Sequence, residues 1–313
     1  MVKMEYVLKI VNLAVSRRER TQLIPVLNDI NFFVEKGELF CLVGESGSGK
    51  TTLALSIMRL LPKSFVVTSG EILLNGQNIL NVNEQSIRSI RGKDISIIFQ
   101  DPGAYLDPLF TVGVHLQEAL HGTTEDKNQL ITKTLKDVGL EPEIQLVYPH
   151  QISGGQQQRV MIAMALINNP SIIIADEPTT ALDVLTTRQI INLLSKIREK
   201  YHPAIFFITH DLELAMSIGI RIGIMYKGHI VEIFRPDREK PLHPYSDILL
   251  GNIDKKYFNE KIPVSSQTDI NDWCPFFEKC PEREQKCQKK IPFIWRDSLT
   301  GIRCIKHGRN HQM

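Results

Sequence analysis

The apolar residues of this chain gather into short, nearly unbroken runs. ELFCLVG (38–44), GEILLNG (70–76), DISIIFQ (94–100), SIIIADE (171–177), AIFFITH (204–210), RIGIMYKG (221–228) and HIVEIF (229–234) are rich in β-branched and aromatic residues and are bounded by charged residues or glycine, which predicts strands. A helix is predicted from Lys50 to about Leu61, stopped by Pro62, another from about Val184 to Lys200, and a short one after His210. Between about Phe110 and Leu166 β-branched clusters are few, so this stretch reads as an inserted, mostly helical region. Strands apolar along their whole length, alternating with helices, predict an α/β fold with a largely parallel sheet covered on both faces. From Pro236 onward Pro, Lys, Asp and Glu become frequent and apolar periodicity weakens, placing a boundary near residue 240.

Composition narrows the classes. At 313 residues one large α/β unit with an appendage is expected. With 37 basic and 35 acidic residues the net charge is only +2, and no long block of one sign occurs, which argues against nucleic acid as a main partner. SRRER (16–20) is read as a solvated loop. In MVKMEYVLKIVNL, Lys3, Glu5 and Lys9 interrupt the apolar core that a signal peptide needs, and no uncharged apolar run reaches about 18 residues. A cytosolic chain without its own membrane span is expected, so any membrane role comes through a partner.

The first chemical motif is GESGSGKT, from Gly44 to Thr51, which satisfies G-x-x-x-x-G-K-[ST] between a predicted strand and a predicted helix. Its glycines let backbone N–H groups turn onto phosphates, Lys50 supplies a point charge, and the Thr51 hydroxyl is a ligand for Mg²⁺. Thr52 stands where a dinucleotide fingerprint needs its third glycine, so that fold is not supported. SIIIADE then delivers Asp176, suited to hold Mg²⁺ through its water shell, and Glu177, suited to polarise an attacking water, at the carboxyl end of a strand. Gln100 and His210 also end apolar strands and are expected on the same sheet edge. A second phosphate cradle lies in ISGGQQQR (152–159), where a loop with Ser153, Gly154 and Gly155 hands over to a helix.

The order P-loop, Gln after a strand, SGGQ, apolar run with Asp-Glu, then His after a strand resembles an ABC transporter nucleotide-binding subunit over roughly residues 5 to 250. The resemblance implies a P-loop NTPase core with a mostly parallel sheet, antiparallel β elements in the N-terminal part, a helical subdomain at about 101–166 and an ABC ATPase domain at 1–240. It implies ATP and Mg²⁺ as cofactors. Gly44, Glu45, Ser46, Gly47, Ser48, Gly49, Lys50, Thr51 and Thr52 would bind the nucleotide; Thr51, Gln100 and Asp176 would hold magnesium; Glu177, His210 and Gln100 would be catalytic. In that family two ATPase domains pack head to tail, so Ser153, Gly154, Gly155 and Gln156 would serve the partner's nucleotide, and Asp183 would reach across the dimer. Ile152 replaces the more common Leu with little expected consequence. The family usually stacks adenine on an aromatic residue near the end of the first strand, and NLAVSRRER has none there, which leaves Arg17 or Arg18 to stack its guanidinium on the base.

PLHPYSDILL (241–250), FQDPGAYLDP and VMIAMAL resemble the oligopeptide, dipeptide and nickel importer subfamily, particularly its first ATPase subunit. This implies a non-identical ATPase partner, two transmembrane permease subunits, an extracellular or periplasmic solute-binding protein acting indirectly, and peripheral attachment at the cytoplasmic face of the membrane. The 241–313 extension carries Cys274, Cys280, Cys287 and Cys304, spaced C-x5-C-x6-C-x16-C and wider than ordinary zinc ribbons. Similar importer subunits carry an iron-sulfur cluster on such a tail, and four thiolates suit [4Fe-4S], with zinc or free thiols as the alternatives. The function expected is ATP-driven import of peptides. A nickel or other solute importer of the same family is the alternative, and a soluble ABC switch acting on ribosomes or DNA is the reading from a different class.

Overall fold

Residues 6–20, 22–122, 126–180, 182–251, 274–289 and 291–308 are described by the computed structural model. Strands β1 (Tyr6–Glu19) and β2 (Gln22–Glu35) form a long hairpin, followed by β3 (Leu39–Val43), helix α1 (Lys50–Ile57), β4 (Phe65–Leu74), β5 (Gln77–Asn78), α2 (Glu84–Ile90) and β6 (Ile95–Ile98). The helical region comprises α3 (Pro102–Tyr105), α4 (Val112–Ala119), α5 (Lys127–Asp137) and α6 (Gly154–Leu166). The chain returns through β7 (Ile172–Asp176), α7 (Val184–Tyr201), β8 (Ala204–Thr209), α8 (Leu212–Ile218), β9 (Arg221–Tyr226) and β10 (His229–Phe234), then α9 (Pro244–Leu249), β11 (Ile294–Trp295) and β12 (Gly301–Ile302).

Two sheets result. The first, β2-β1-β4-β5, is antiparallel throughout. The second runs β11-β12-β10-β9-β3-β8-β7-β6, and its strands β9, β3, β8, β7 and β6 are parallel. Every residue of β3, β7, β8 and β9 is buried, as parallel strands covered on both faces require. One apolar core, with Phe32, Phe40 and Phe206 in mutual ring contact, lies toward the antiparallel sheet; the other packs the helical region and α7 against the opposite face.

Three local expectations are corrected. SRRER is not a loop: β1 continues through Glu19, with Ser16 paired to Val66 and Arg17 to Phe65 on one side and Ile24 on the other. It is a strand in which Ser16 is buried while Arg17, Arg18 and Glu19 are solvated, and that solvation hides the strand in the sequence. GEILLNG is only the second half of β4, which begins at Phe65. The helix after the P-loop ends at Ile57 rather than near Leu61, because Arg59 takes a left-handed φ of 51°.

The sheet also continues across the change in sequence character near residue 240. Strand β12 pairs with β10, Glu232 opposite Ile302. Arg303 donates to the Ile291 carbonyl at 2.6 Å and to Asp29 Oδ2 at 2.9 Å, tying the tail to β2. A buried ion pair fastens it further: Arg221 meets Glu38 through two hydrogen bonds of 2.6 and 2.8 Å, lies over the Phe33 ring at 4.1 Å, and donates to the Leu299 carbonyl. Burying that charge is tolerable because Arg221 is paired and its remaining donors are occupied.

Candidate functional site

The carboxyl ends of β3, β6, β7 and β8 deliver Gly44, Gln100, Glu177 and His210 to one sheet edge, as the strand order dictates. There a cavity of about 770 Å³ is lined by Glu45, Ser46, Gly47, Gly49, Lys50, Thr51, Thr52, Gln100, Glu177 and His210, with Val26, Ile248, Leu249 and Gly251 completing it. The P-loop shape depends on its glycines. A Cβ on Gly44 would come within 2.3 Å of the Met225 carbonyl oxygen, and Gly49 sits at φ 108° against Leu27. Both contacts leave room for hydrogen alone.

Lys50 is held inside this loop. Its ammonium donates to the Gly44 and Glu45 carbonyls at 2.8 and 3.1 Å and lies 3.6 Å from Glu177 Oε1. Burial lowers its pKa from the ordinary lysine value, and the carboxylates of Glu177 and Asp176 oppose that fall. The loop carbonyls thus hold a cation that a phosphate oxygen can claim. Thr51 Oγ1 donates to Asp176 Oδ1 at 3.3 Å. Asp176 is buried at the end of β7, and burial raises its carboxyl pKa against the Thr51 hydrogen bond. A hydroxyl beside a desolvated carboxylate, with Gln100 on the same cavity, is an oxygen donor set that suits a hard divalent ion such as magnesium.

Glu177 is placed with unusual care. Its backbone adopts a left-handed φ of 46°, held by its N–H donating to the Ile208 carbonyl at 3.0 Å. Its Oε2 accepts from Thr180 Oγ1 at 3.0 Å and lies 3.2 Å from His210 Nδ1. Thr180, which sequence reading did not single out, is therefore a positioning contact for Glu177.

The second cradle does not meet the first within this chain. Ser153 caps α6: its Oγ accepts from the Gln156 N–H at 3.3 Å, while Gln156 Oε1 accepts from the Ser153 N–H at 2.9 Å. Ser153, Gly154 and Gln156 are exposed, and none of the four signature residues lines the nucleotide-sized cavity. Asp183 is also exposed and caps α7, accepting from the Leu185 and Thr186 N–H groups at 2.9 Å each. Hydrogen bonding to Thr186 holds its carboxyl below the usual range. Arg17 is likewise outside the cavity lining, and its guanidinium is paired with Glu19.

Cys274, Cys280, Cys287 and Cys304 converge on a second, small pocket of about 20 Å³, which they line with His243, Ile291 and Lys306. Burial pushes the Cys274 thiol up to about 11 and the Cys280 thiol up to about 12, and raises Cys304. Among the described residues no three His, Cys, Asp or Glu side chains are close enough to hold a single metal ion. The iron-sulfur and zinc expectations are therefore not met by a formed ligand set, although the four thiols do share one pocket. Helix α9 lies between the two pockets: Tyr245 Oη accepts from the Glu45 N–H of the P-loop at 3.3 Å, and the His243 side chain reaches the cysteine pocket. PLHPYSDILL carried no chemistry-bearing motif, which is why its place at the cavity was missed.

The ABC transporter family profile matches residues 27–180. The chain is similar to the dipeptide transport ATP-binding protein DppD of Bacillus subtilis, 41% identical over 304 residues that cover 92% of this chain and 91% of that protein. It is also similar to the oligopeptide transport ATP-binding protein AppD of Bacillus subtilis, 37% identical over 320 residues, covering 96% and 97% respectively. Among solved structures, the ATP-binding cassette MJ0796, a dimer in a post-hydrolysis state bound to ADP and Pi, superimposes with a TM-score of 0.65 at 32% identity, covering 73% of this chain and 98% of that one. Among the described residues no helix is long and apolar enough to cross a membrane.

Proposed function

Because the chain belongs to the ABC transporter family of ATP-binding subunits, we propose that it hydrolyses ATP to power the import of peptides through membrane permease subunits. The observation that carries this reading is the gathering of Lys50, Thr51, Gln100, Glu177 and His210 around one cavity. Peptide is preferred over nickel as cargo because the relatives similar over nearly the whole chain are named for dipeptide and oligopeptide transport.

In this mechanism the P-loop N–H groups from Glu45 to Thr52 and the Lys50 ammonium bind the β- and γ-phosphates. Thr51, Asp176 and Gln100 would hold a magnesium ion, which neutralises charge on the transferring phosphoryl group. Glu177 takes a proton from the attacking water, and His210 holds the γ-phosphate while steadying Glu177 through the 3.2 Å contact. Ser153, Gly154, Gly155 and Gln156 cap the nucleotide of a second, homologous ATPase subunit, with Asp183 at the junction. Closure of the pair around two triphosphates, and its release on hydrolysis, provides the stroke.

The permeases would engage the helical region, whose surface exposes Tyr105, Leu109, Phe110, Leu146 and Tyr148. That docking places the subunit peripherally at the cytoplasmic face, with a solute-binding protein selecting cargo on the other side. The subfamily resemblance of PLHPYSDILL, FQDPGAYLDP and VMIAMAL favours a non-identical ATPase partner. The 1–240 region acts as the ATPase and the 241–313 extension as its importer-type appendage. The convergence of four thiols supports a structural [4Fe-4S] cluster bound by Cys274, Cys280, Cys287 and Cys304. The pocket holds roughly one water, so seating a cluster requires the cysteine loops to part.

Uptake of labelled di- and oligopeptides, with nickel in parallel, by cells carrying native protein or Lys50→Ala tests the assignment. Loss of peptide uptake alone is expected. Loss of nickel uptake alone would replace the cargo, and no loss of either would remove the transport role.

A further inference from the structure

The nucleotide cavity has two kinds of wall. Lys50, Thr51, Gln100, Glu177 and His210 form the polar one, matched to a polyanionic tail. Val26 of β2, Ile248 and Leu249 of α9 and the backbone of Gly251 form the other, which is aliphatic. A nucleoside triphosphate needs both, because its base is a flat, largely apolar plate at the far end from its charge. Among the described residues no Phe, Tyr or Trp lines the cavity, and Arg17 pairs with Glu19 outside the lining. Arg17 and Arg18, the two stacking partners the sequence suggested, both lie outside the cavity lining.

We propose that the C-terminal helix α9 completes the nucleotide site, with Ile248 and Leu249 joining Val26 as the aliphatic wall that receives the base. This rests on the ATPase reading above and adds a subsite to it, located in a segment that follows the last strand of the β9–β10 hairpin. Aliphatic side chains contact a base through its faces, so the wall contributes affinity with little selection among bases.

The position of α9 is built rather than incidental. Its first turn is anchored by Glu232, fully buried on β10, which accepts from the Leu242 and His243 N–H groups at 2.7 and 3.1 Å and from Ser246 Oγ at 2.7 Å. Tyr245 is buried between Tyr226 at 4.5 Å and Phe276 at 5.4 Å between ring centres, and its hydroxyl accepts the Glu45 N–H. The same six-residue helix therefore grips the P-loop through Tyr245 and, one turn later, presents Ile248 and Leu249 to the cavity. Leu249 is partly exposed there, as a wall awaiting a ligand should be, while Ile248 behind it is buried.

The test compares a ligand with a base and one without. Equilibrium binding of MgATP and of magnesium tripolyphosphate is measured on the full-length native protein and on Leu249→Ser, Val26→Ser and Leu249→Met. Removing the aliphatic contact should weaken ATP by about tenfold, leave tripolyphosphate unchanged, and be rescued in Leu249→Met. Equal weakening of both ligands would mean that α9 acts only by holding the P-loop, and unchanged ATP affinity would mean that the base lies elsewhere; either overturns the proposal. Native protein that binds tripolyphosphate no more weakly than ATP also overturns it, while leaving the phosphate site intact. Native protein that binds neither overturns the ATPase reading together with it.

Discussion

Replacing Glu177 by Gln changes one carboxylate oxygen to an amide nitrogen and little else. The left-handed backbone at this position is fixed by the N–H bond to Ile208, which the substitution leaves alone, so the side chain should remain over the cavity. The remaining oxygen can still accept from Thr180 or face His210. What is lost is a base for the attacking water, worth about 10²–10⁴ in rate, or about 3–5 kcal/mol of barrier. Ground-state binding should move the other way. The Lys50 ammonium lies 3.6 Å from the carboxylate, an attraction of about 5 kcal/mol at the effective dielectric of a protein surface, before desolvation is subtracted. A γ-phosphate must compete for that ammonium and also tolerate the carboxylate beside it; the amide removes both obstacles. The expected result is a fall of about 10²–10⁴ in the rate of phosphate release at saturating MgATP, with ATP affinity unchanged or tighter. Phosphate release and equilibrium ATP binding, measured on the same preparation, separate the two effects. A variant within about threefold of the native rate would refute the assignment of Glu177 as the base. Loss of ATP binding in parallel with rate would instead make the carboxylate part of the scaffold.

Two other outcomes follow from groups outside the catalytic wall. His229 is half-buried, its Nδ1–H donates to the Lys227 carbonyl at 3.0 Å, and desolvation reinforced by the Arg303 guanidinium pushes its pKa down to about 4, with the Asp29 carboxylate opposing. Because the folded value lies below the unfolded one, its contribution is fully present above about pH 6.5 and is lost as pH falls toward 4, amounting to about 2 kcal/mol at pH 5. Urea midpoints at pH 7 and pH 5 should therefore converge in His229→Gln by that amount, and an unchanged pH dependence would show that the imidazole already takes up its proton in the folded state. For the cysteines, native protein purified without oxygen should carry about four irons with acid-labile sulfide and lose both in Cys280→Ser; bound zinc, or no metal at all, would reject the cluster.

Much of the catalytic wall was legible because its residues follow strands that are apolar from end to end. ELFCLVG, DISIIFQ, SIIIADE and AIFFITH had to be interior parallel strands, and a parallel sheet presents the residues after such strands along one edge. Gln100 and His210 could thus be placed beside the P-loop without any motif of their own. The antiparallel sheet was harder to read. In β1 the residues after Val15 are SRRE, which satisfy their pairing through the backbone while Arg17, Arg18 and Glu19 keep their side chains in water, so neither alternation nor apolar content marks a strand. The tail posed a different problem: β11 and β12 are two residues each and exist only because β10 offers an unpaired edge. Helix α9 turns Tyr245 to the P-loop and Ile248 and Leu249 to the cavity, none of them part of a phosphate-binding motif, and an aliphatic wall has no signature beyond its fold.

The two phosphate cradles are reconciled by what surrounds the second. A helix N-terminus with small residues in front of it is an anion site only if an anion can reach it, and the phosphate cavity of the same chain is not lined by this one. Beside it, however, the structure exposes apolar surface that a lone subunit has no reason to keep: Val184 is 73% and Leu185 67% exposed, immediately after Asp183. A Cβ on Gly155 would lie 2.9 Å from Thr186 Cγ2, so the signature turn and this apolar step form one continuous face. The first cradle is complementary, since Lys50, Glu177 and His210 border a cavity that, among the described residues, the signature turn does not line. In the proposed pair, an anion-binding turn flanked by exposed aliphatic side chains in one subunit and the phosphate cavity of the other would supply each other's missing half. Closure of the proposed pair would then require the triphosphate, because without its charge two positively poised loops would have to approach with nothing between them.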